Sequence, residues 1–433
     1  MKTLHVIDPA LRGGGGHYLS QHTALWHLCR SSGYAMHSYC HRAFDPGAMP
    51  AGIAVTPLFG ETRGTDPIGH YVTDASQSNL QVHDGLSRLT ADSFAPGDLL
   101  LLTTVTVRHA MGFGRWLHDV AAGLPCPVGI YCTLSAELED TVGRDLRRDG
   151  VAIDDAGFAA LDEIVIPNEF KRAVYRYLFN AIPADRRAGY AVFYEEPFPS
   201  RGFLDAFDAG GIRFHSLRSM YQGGDGAVPA RAAAGRKTVA FVGSGGAAAG
   251  EKGWDRIVAI VERVLAARDD VRFTIHAGGE PGGAVEVALQ ALKRKHADRD
   301  AIALSFGTLD SDAYCALLEA ADLICLPYGQ RYKHIMSGVF DDCAFLGKVA
   351  VIPADSKMAR WMQFHNLPIP GFTEAGPQGI AAALIEALER FPVYDAAYRQ
   401  ARDIARTAFR LNNPVAVLSG LDAARSGRTG PAA

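Results

Sequence analysis

The chain has no apolar run approaching the roughly 20 residues that a membrane-spanning helix needs. Its opening apolar stretch, Leu4 to Ile7, is too short for a secretory h-region and runs straight into a loop. The seven cysteines are scattered and none forms a CxxC pair, which argues against a disulfide framework. Cys126, Cys132, Cys325 and Cys343 sit in or beside apolar segments and read as reduced core residues of a cytoplasmic protein. No His/Cys spacing resembles a metal site, so no metal is expected. Neither sign of charge dominates: the net charge is −4, which gives no global attraction to nucleic acid or anionic lipid. Local basic patches, Arg144, Arg147 and Arg148 or Lys293, Arg294 and Lys295, read as solvated helix faces. Ser-His-Asp catalysis lacks a nucleophile-elbow pattern.

What is present is a folded, two-domain chain. Its 433 residues accommodate two domains of ordinary size. A content of 48% hydrophobic and 21% charged residues excludes a disordered chain. Short apolar strands alternate with helical stretches in both halves, which implies α/β domains with parallel sheets and crossover helices. Strands are expected at Leu4 to Ile7, Ala35 to Cys40, Asp98 to Thr103, Val128 to Thr133 and Glu163 to Pro167, with Asn168 as a helix N-cap. Residues 202–236, rich in Gly, Ala and Arg, read as the connection. The boundaries are then residues 1–201, 237–405 and a C-terminal segment 406–433 with a disordered tail. Two such Rossmann-like domains would place ligands at the carboxyl ends of both sheets, in a cleft between them.

Two stretches carry most of the chemistry. Asp322 to Ser356 reads as strand, polar loop, helix, strand. The loop offers Gln330, Arg331, Tyr332, Lys333 and His334, then Ser337-Gly338 opens a helix that Gly347 stops. A basic, hydroxyl-bearing loop before a helix N-terminus suits an anion. Upstream, Phe241 to Asp255 (FVGSGGAAAGEKGWD) lies between a strand and an amphipathic helix, with Lys252 near the helix mouth. Its glycines allow close backbone approach to a diphosphate. It is not a P-loop, because no GK[ST] follows at the required spacing; a plain flexible loop is the competing view.

Taken in order, these motifs resemble the family-4-like glycosyltransferases of GT-B fold. The resemblance rests on Lys252-Gly253-Trp254-Asp255, His276-Ala277-Gly278-Gly279, Phe306-Gly307-Thr308-Leu309, Leu326-Pro327-Tyr328, Ser337-Gly338-Val339-Phe340 and Gly347-Lys348. It covers roughly residues 238–405, and the N-terminal half more loosely. It implies transfer of a sugar from a nucleoside-diphosphate sugar to an acceptor, a glycan, a lipid-linked glycan or a protein. Retention of configuration without metal or other cofactor is also implied. The donor side would comprise Ser244, Gly245, Lys252, Gly278, Gly307, Thr308, Leu309, Tyr332, Lys333, His334, Ser337, Gly338, Val339 and Asp342. Lys252 is the principal catalytic candidate, since a fixed ammonium stabilises the leaving diphosphate as its charge develops.

The chain departs from the family pattern in two places. The usual Arg before the Lys has no counterpart, as Ser244, Gly245 and Gly246 stand there. The usual Glu-x7-Glu frame falls on His334 and Asp342. The second of these would hold the nucleotide ribose.

In the first half, the glycines of LRGGGGHY, including Gly15 and Gly16, would border the donor diphosphate, with His17 on the acceptor side or as a surface helix cap. Thr104 ends a buried strand and is a candidate acceptor contact; His109 could serve as base or sugar ligand, or be structural. Glu137 is a candidate base or acceptor carboxylate, against an exposed helix-start Glu. Glu195-Glu196 reads as structural, because adjacent residues in an extended strand point to opposite faces; His83-Asp84-Gly85 reads as a turn. The alternatives are a non-catalytic GT-B protein binding a nucleotide sugar or glycan, and a nucleotide-sugar epimerase. Peripheral membrane contact stays open, and the sequence carries no signal for oligomeric state.

Overall fold

In a computed structural model the chain divides into two compact units, Met1–Gln222 with Ala408–Ala433, and Gly223–Thr407. The structure describes residues 1–13, 17–60, 71–132, 168–194, 210–217, 235–244, 250–278, 283–333 and 336–427.

The first unit is built on seven parallel strands: β1 (Thr3–Ile7), β2 (Ala35–His41), β3 (Ile53–Phe59), β4 (Leu99–Leu102), β5 (Val128–Cys132), β6 (Tyr190–Tyr194) and β7 (Arg213–Ser216). Their order is β3-β2-β1-β4-β5-β6-β7, so the sheet reverses direction of growth between β1 and β4. The sequence of β4 explains its central place. Its four leucines are all fully buried, as expected of a parallel strand covered on both faces. The crossovers are α1 (His17–Ser31), α2 (Tyr71–Leu86), α3 (Val107–Val120) and α4 (Asn168–Asn180). Thr106 caps α3 by accepting from the N–H of Arg108. Gly112 on α3 has no room for a side chain, because a Cβ there would lie 2.9 Å from that of Val82 on α2.

Four elements differ from the sequence reading. His83-Asp84-Gly85 is part of helix α2 rather than a turn. β3 and β6 were not anticipated, and β7 lies inside the stretch read as connection. β7 is an edge strand of four residues, none of them buried, so it carries no apolar signal of its own. Glu163 to Pro167, the three arginines at 144–148 and Glu195-Glu196 lie outside the described residues.

The second unit repeats the plan with β8 (Lys237–Ser244), β9 (Val271–Gly278), β10 (Ile302–Phe306), β11 (Leu323–Cys325), β12 (Val349–Pro353) and β13 (Gly371–Phe372). The order is β10-β9-β8-β11-β12-β13, all parallel, with the reversal between β8 and β11. Helices α5 (Ile257–Ala267), α6 (Ala284–Lys295), α7 (Ser311–Ala320), α8 (Gly338–Leu346), α9 (Lys357–Phe364) and α10 (Pro377–Glu389) alternate with them, and α11 (Phe391–Asn412) follows. Lys348 is buried; its ammonium donates to the carbonyls of Glu319 and Ala321, where the C-terminal end of α7 favours a cation. The Gly347-Lys348 motif is therefore structural on both counts, since Gly347 adopts the left-handed C-cap conformation.

The last helix, α12 (Pro414–Arg425), belongs to the first unit. Its Val415, Leu418 and Leu421 are buried with Leu4, Leu99, Leu101 and Phe193. The segment that the sequence left as a separate end thus completes the N-terminal core. The expected disordered tail, residues 428–433, lies outside the described residues. All seven cysteines are free, and all but the half-buried Cys315 are buried. Among the described residues no helix is long and apolar enough to cross a membrane.

Candidate functional site

Reversal points are where doubly wound sheets bind ligands, because the two loops leaving adjacent strands diverge there and open a crevice. In the second unit these are the loops after β8 and β11. They are locked together. Gly253, in the left-handed region at φ +71°, packs so tightly on Pro327 that a Cβ would fall 2.9 Å from the proline Cβ and Cγ and closer still to its carbonyl oxygen. Beside this contact the N–H of Gly329 donates to the carbonyl of Glu251 at 2.7 Å. Arg256 fastens the same turn, donating to the carbonyls of Gly250 at 2.9 Å and Ala375 at 2.8 Å. Lys252 is half-buried, and its stem runs over the end of β8, with Cδ 3.9 Å from where a Cβ of Gly243 would sit. Helix α5 begins only at Ile257, five residues beyond Lys252. The sequence reading put Lys252 at a helix mouth; a turn intervenes, so the helix field is weaker there than expected.

Across the crevice, the loop after β11 ends at Ser337, which caps α8 by accepting from the N–H of Phe340. Ser337 also shares a 3.0 Å hydrogen bond with the hydroxyl of Tyr328, whose ring stacks on Tyr332 at 3.8 Å. Lys333 pairs with Asp355 at 3.0 Å, so its ammonium is engaged within the protein. One turn into α8, half-buried Asp342 accepts a 2.7 Å hydrogen bond from Tyr314 of α7. Burial raises the Asp342 carboxyl to about 7, Asp341 adds to the rise and the Tyr314 hydrogen bond opposes it. On the other side of β8, Nδ1 of His276 lies 2.9 Å from the Ser305 hydroxyl, and the N–H of Gly307 bonds to Ala277. Gly307 turns the chain at φ +89°, with Thr308 and Leu309 leading to the Asp310 cap of α7.

The reversal point of the first unit holds a different set. Asp8, directly after β1, is fully buried and accepts from His22 at 3.1 Å and from the N–H of Ala10 at 3.0 Å. His22 in turn reaches the Ser38 hydroxyl at 2.7 Å. After β4, Thr104 sits at φ +56°, a left-handed conformation that costs a β-branched residue strain. His109 Nδ1 lies 2.7 Å from the carbonyl of Thr104, which can only accept, so the Nδ1 carries the proton and Nε2 the lone pair. Burial lowers His109 to about 4. It is a neutral hydrogen-bond acceptor at physiological pH and a weak base, which tilts its role away from general base toward hydroxyl binding. Among the described residues, Thr103 Oγ1 and Thr104 Oγ1 at the end of β4, and both amide atoms of Gln21 on α1, are buried without a hydrogen-bond partner. Native structures rarely leave such groups unsatisfied, so the two hydroxyls at this sheet end are candidate contacts for a ligand or water.

The structure thus brings Lys252 to the Pro327 loop and gathers Tyr332 and Ser337 around Tyr328, with Asp342 on the helix that Ser337 caps. Thr104 and His109 lie in the other unit. Gly15, Gly16, Glu137, Gly245 and His334, and the side chains of His17 and Ser244, lie outside the described residues. Sequence reasoning missed Asp8, His22, Gln21 and Tyr314. Asp8 carried a usable signal, a carboxylate at the end of an apolar strand; the others are helix residues whose partners are distant in sequence.

No protein family profile and no curated protein matches the chain. Solved structures do. A variant of TarM from S. aureus, in complex with fondaparinux, α-GlcNAc-glycerol and UDP, aligns with a TM-score of 0.57 at 8% identity over 98% of this chain and 100% of that one. The trehalose 6-phosphate synthase of Burkholderia multivorans aligns with 0.56 at 13% identity over 100% and 99%. A Listeria monocytogenes protein described as a UDP-N-acetylglucosamine 2-epimerase gives 0.55 at 11% over 99% and 98%. Identities this low establish the fold alone: the chain has the two-domain α/β architecture of the GT-B class, seven and six parallel strands with their crossover helices.

Proposed function

We propose that this protein is a glycosyltransferase that moves a sugar from a nucleoside-diphosphate sugar to a hydroxyl-bearing acceptor, a glycan, lipid-linked glycan or protein. The observation that carries the reading is the clamped pair of loops at the β8/β11 reversal point, which sets Lys252 at the β8 strand end, with Ser337 and Asp342 on the chain that leaves β11. As the anomeric C–O bond breaks, its electrons pass to the leaving diphosphate. Lys252 and the N–H groups of Gly338 and Val339, which helix geometry leaves without an intrahelical acceptor, would stabilise that charge. Asp342 would accept from the ribose hydroxyls. The unpartnered hydroxyls at the end of β4, with the His109 lone pair, suit the hydroxyls of an acceptor sugar. We read the transfer as retaining and free of metal, with the donor as the only small-molecule requirement. Seven free cysteines favour a reducing, cytoplasmic setting.

The test is a panel of nucleotide sugars with nucleotide release followed by chromatography. Lys252→Ala should lower turnover on the order of a hundredfold while the protein stays folded. Activity should persist in excess EDTA; loss restored by Mg²⁺ or Mn²⁺ would refute the metal-free reading. The epimerase among the structural neighbours gives the second reading its place: a sugar epimerised without acceptor would establish it. Binding without turnover would leave a non-catalytic GT-B protein.

A further inference from the structure

We infer that Tyr314 is a positioning residue of the nucleotide site: its hydroxyl fixes Asp342 and keeps that carboxylate available to the vicinal diol of a bound ribose. The inference rests on the nucleotide-sugar reading above, and names a residue that the sequence reading did not single out.

The geometry is specific. Tyr314 comes from α7 and Asp342 from α8, 28 residues apart, and the 2.7 Å bond to Oδ2 joins the two helices. The phenol is the donor, because an ionised carboxylate only accepts. Oδ1 makes no other hydrogen bond among the described residues, so it retains its capacity for an incoming hydroxyl. The surroundings otherwise oppose the charge. Asp341 on the same helix adds a second carboxylate, and Cys343 of α8 and Tyr328 of the β11 loop lie close enough to feel the anion without neutralising it. Of the groups acting on Asp342, only Tyr314 favours its ionised form. An aspartate in an apolar pocket beside another carboxylate would otherwise hold its proton, and a protonated carboxyl accepts poorly from a diol. The phenol offsets this, and it does so without a cation that would attract free phosphate to the ribose end of the site.

Diol binding favours the ionised form, so donor affinity must rise with pH through the Asp342 titration. The probe is UDP-glucose, with ADP-glucose and GDP-mannose in parallel, because a sugar-capped diphosphate has no group titrating near neutrality. Calorimetric titration of the full chain between pH 5.5 and 9 should show affinity increasing to a plateau, with a midpoint near 7. Tyr314→Phe removes one hydrogen bond to a charged group. Its midpoint should move up by roughly one pH unit, with about tenfold weaker binding below pH 7 and near convergence at pH 9. Asp342→Asn should flatten the profile at low affinity, and a 2′,3′-dideoxy donor should flatten it for the unmodified protein. Superimposable profiles for Tyr314→Phe and the parent, or pH-independent affinity in the parent, would overturn the inference while leaving the nucleotide-sugar reading intact. Failure of all three donors to bind would overturn that reading as well. Should Tyr314→Phe not fold, the Asn variant decides, since an unflattened profile excludes Asp342 as the titrating group.

Discussion

Gly253→Ala tests whether the two loops of the proposed nucleotide site are held by direct backbone contact. The first cost is conformational. At φ +71° an L-residue is strained by about 1–2 kcal/mol. The second is steric. The new Cβ would stand 2.9 Å from two carbons of Pro327, a rigid ring, and closer to its carbonyl oxygen, so the loops must part. Parting them stretches the 2.7 Å bond from Gly329 to Glu251, worth about 1 kcal/mol when lost. Together these amount to about 3–5 kcal/mol, in the range reached only by severe single substitutions. Gly307→Ala in the same unit separates the two costs. Gly307 is also left-handed, at φ +89°, but no atom lies within 4 Å of its would-be Cβ. Urea unfolding of both variants should place Gly253→Ala lower by about 2 kcal/mol or more, and only Gly253→Ala should also release the Lys252 loop to hydrogen exchange. Equal destabilisation of the two would refute the close-contact argument and with it the clamp.

Two further outcomes follow from the titrating groups. His109 is held at about 4, against an ordinary 6.5, so the unfolded chain takes up a proton that the folded chain refuses. Stability present above pH 6.5 is therefore lost as pH falls toward 4, by up to about 3 kcal/mol, and His109→Gln should flatten this acid limb in calorimetric melts. Asp342 has the opposite sign: its carboxyl is raised from 3.8 to about 7, so its contribution is complete below 3.8 and is lost as pH rises through 7. Asp342→Asn should accordingly raise the melting temperature at pH 8 and not at pH 4, while weakening nucleotide binding at pH 8 and little at pH 4; an unchanged melt at pH 8 would show that Asp342 does not ionise at a cost.

How far the sequence discloses this molecule depends on how local each feature is. Helix α8 was legible at both ends, because its stop signals are single residues: Ser337 accepts from Phe340 three positions on, and Gly347 has the positive φ that a glycine tolerates. β4 and β12 were legible because a doubly covered strand is a continuous apolar run. β7 was not, since an edge strand needs only a partner, and its register with Ala191 to Tyr194 is written nowhere in Arg213 to Ser216. α12 looked like an end with no home because its buried Val415, Leu418 and Leu421 find their place some 400 positions upstream, beside Leu4. Lys348 read as part of a family-resemblance motif, and only the helix C-terminus it caps shows why a buried lysine is stable there.

The same distinction separates the two candidate sites. The nucleotide half is assembled largely from strand-end motifs, each short and contiguous, so its glycines, Lys252 and Ser337 could be picked out one by one. Tyr314 could not, because nothing in SDAYCALLEA marks the one position whose hydroxyl meets a carboxylate on the next helix. In the first unit the informative features are violations that only a structure exposes: a threonine at φ +56°, a histidine held neutral by burial, and the Thr103 and Thr104 hydroxyls without partners among the described residues. Consistent local choices build a fold, and departures from them persist only where the surrounding structure compensates. Here Thr104, strained and with an unpartnered hydroxyl among the described residues, falls at the carboxyl end of β4, while others such as Asp300 and Asn366 at positive φ and the Tyr190 hydroxyl do not. The β1/β4 reversal carries a strained threonine and two unpartnered hydroxyls, and the helix that follows the β11 loop carries a carboxyl raised to about 7. The coincidence of the Thr104 strain, the Thr103 and Thr104 hydroxyls and the neutral His109 is what singles out the β4 end as a candidate site.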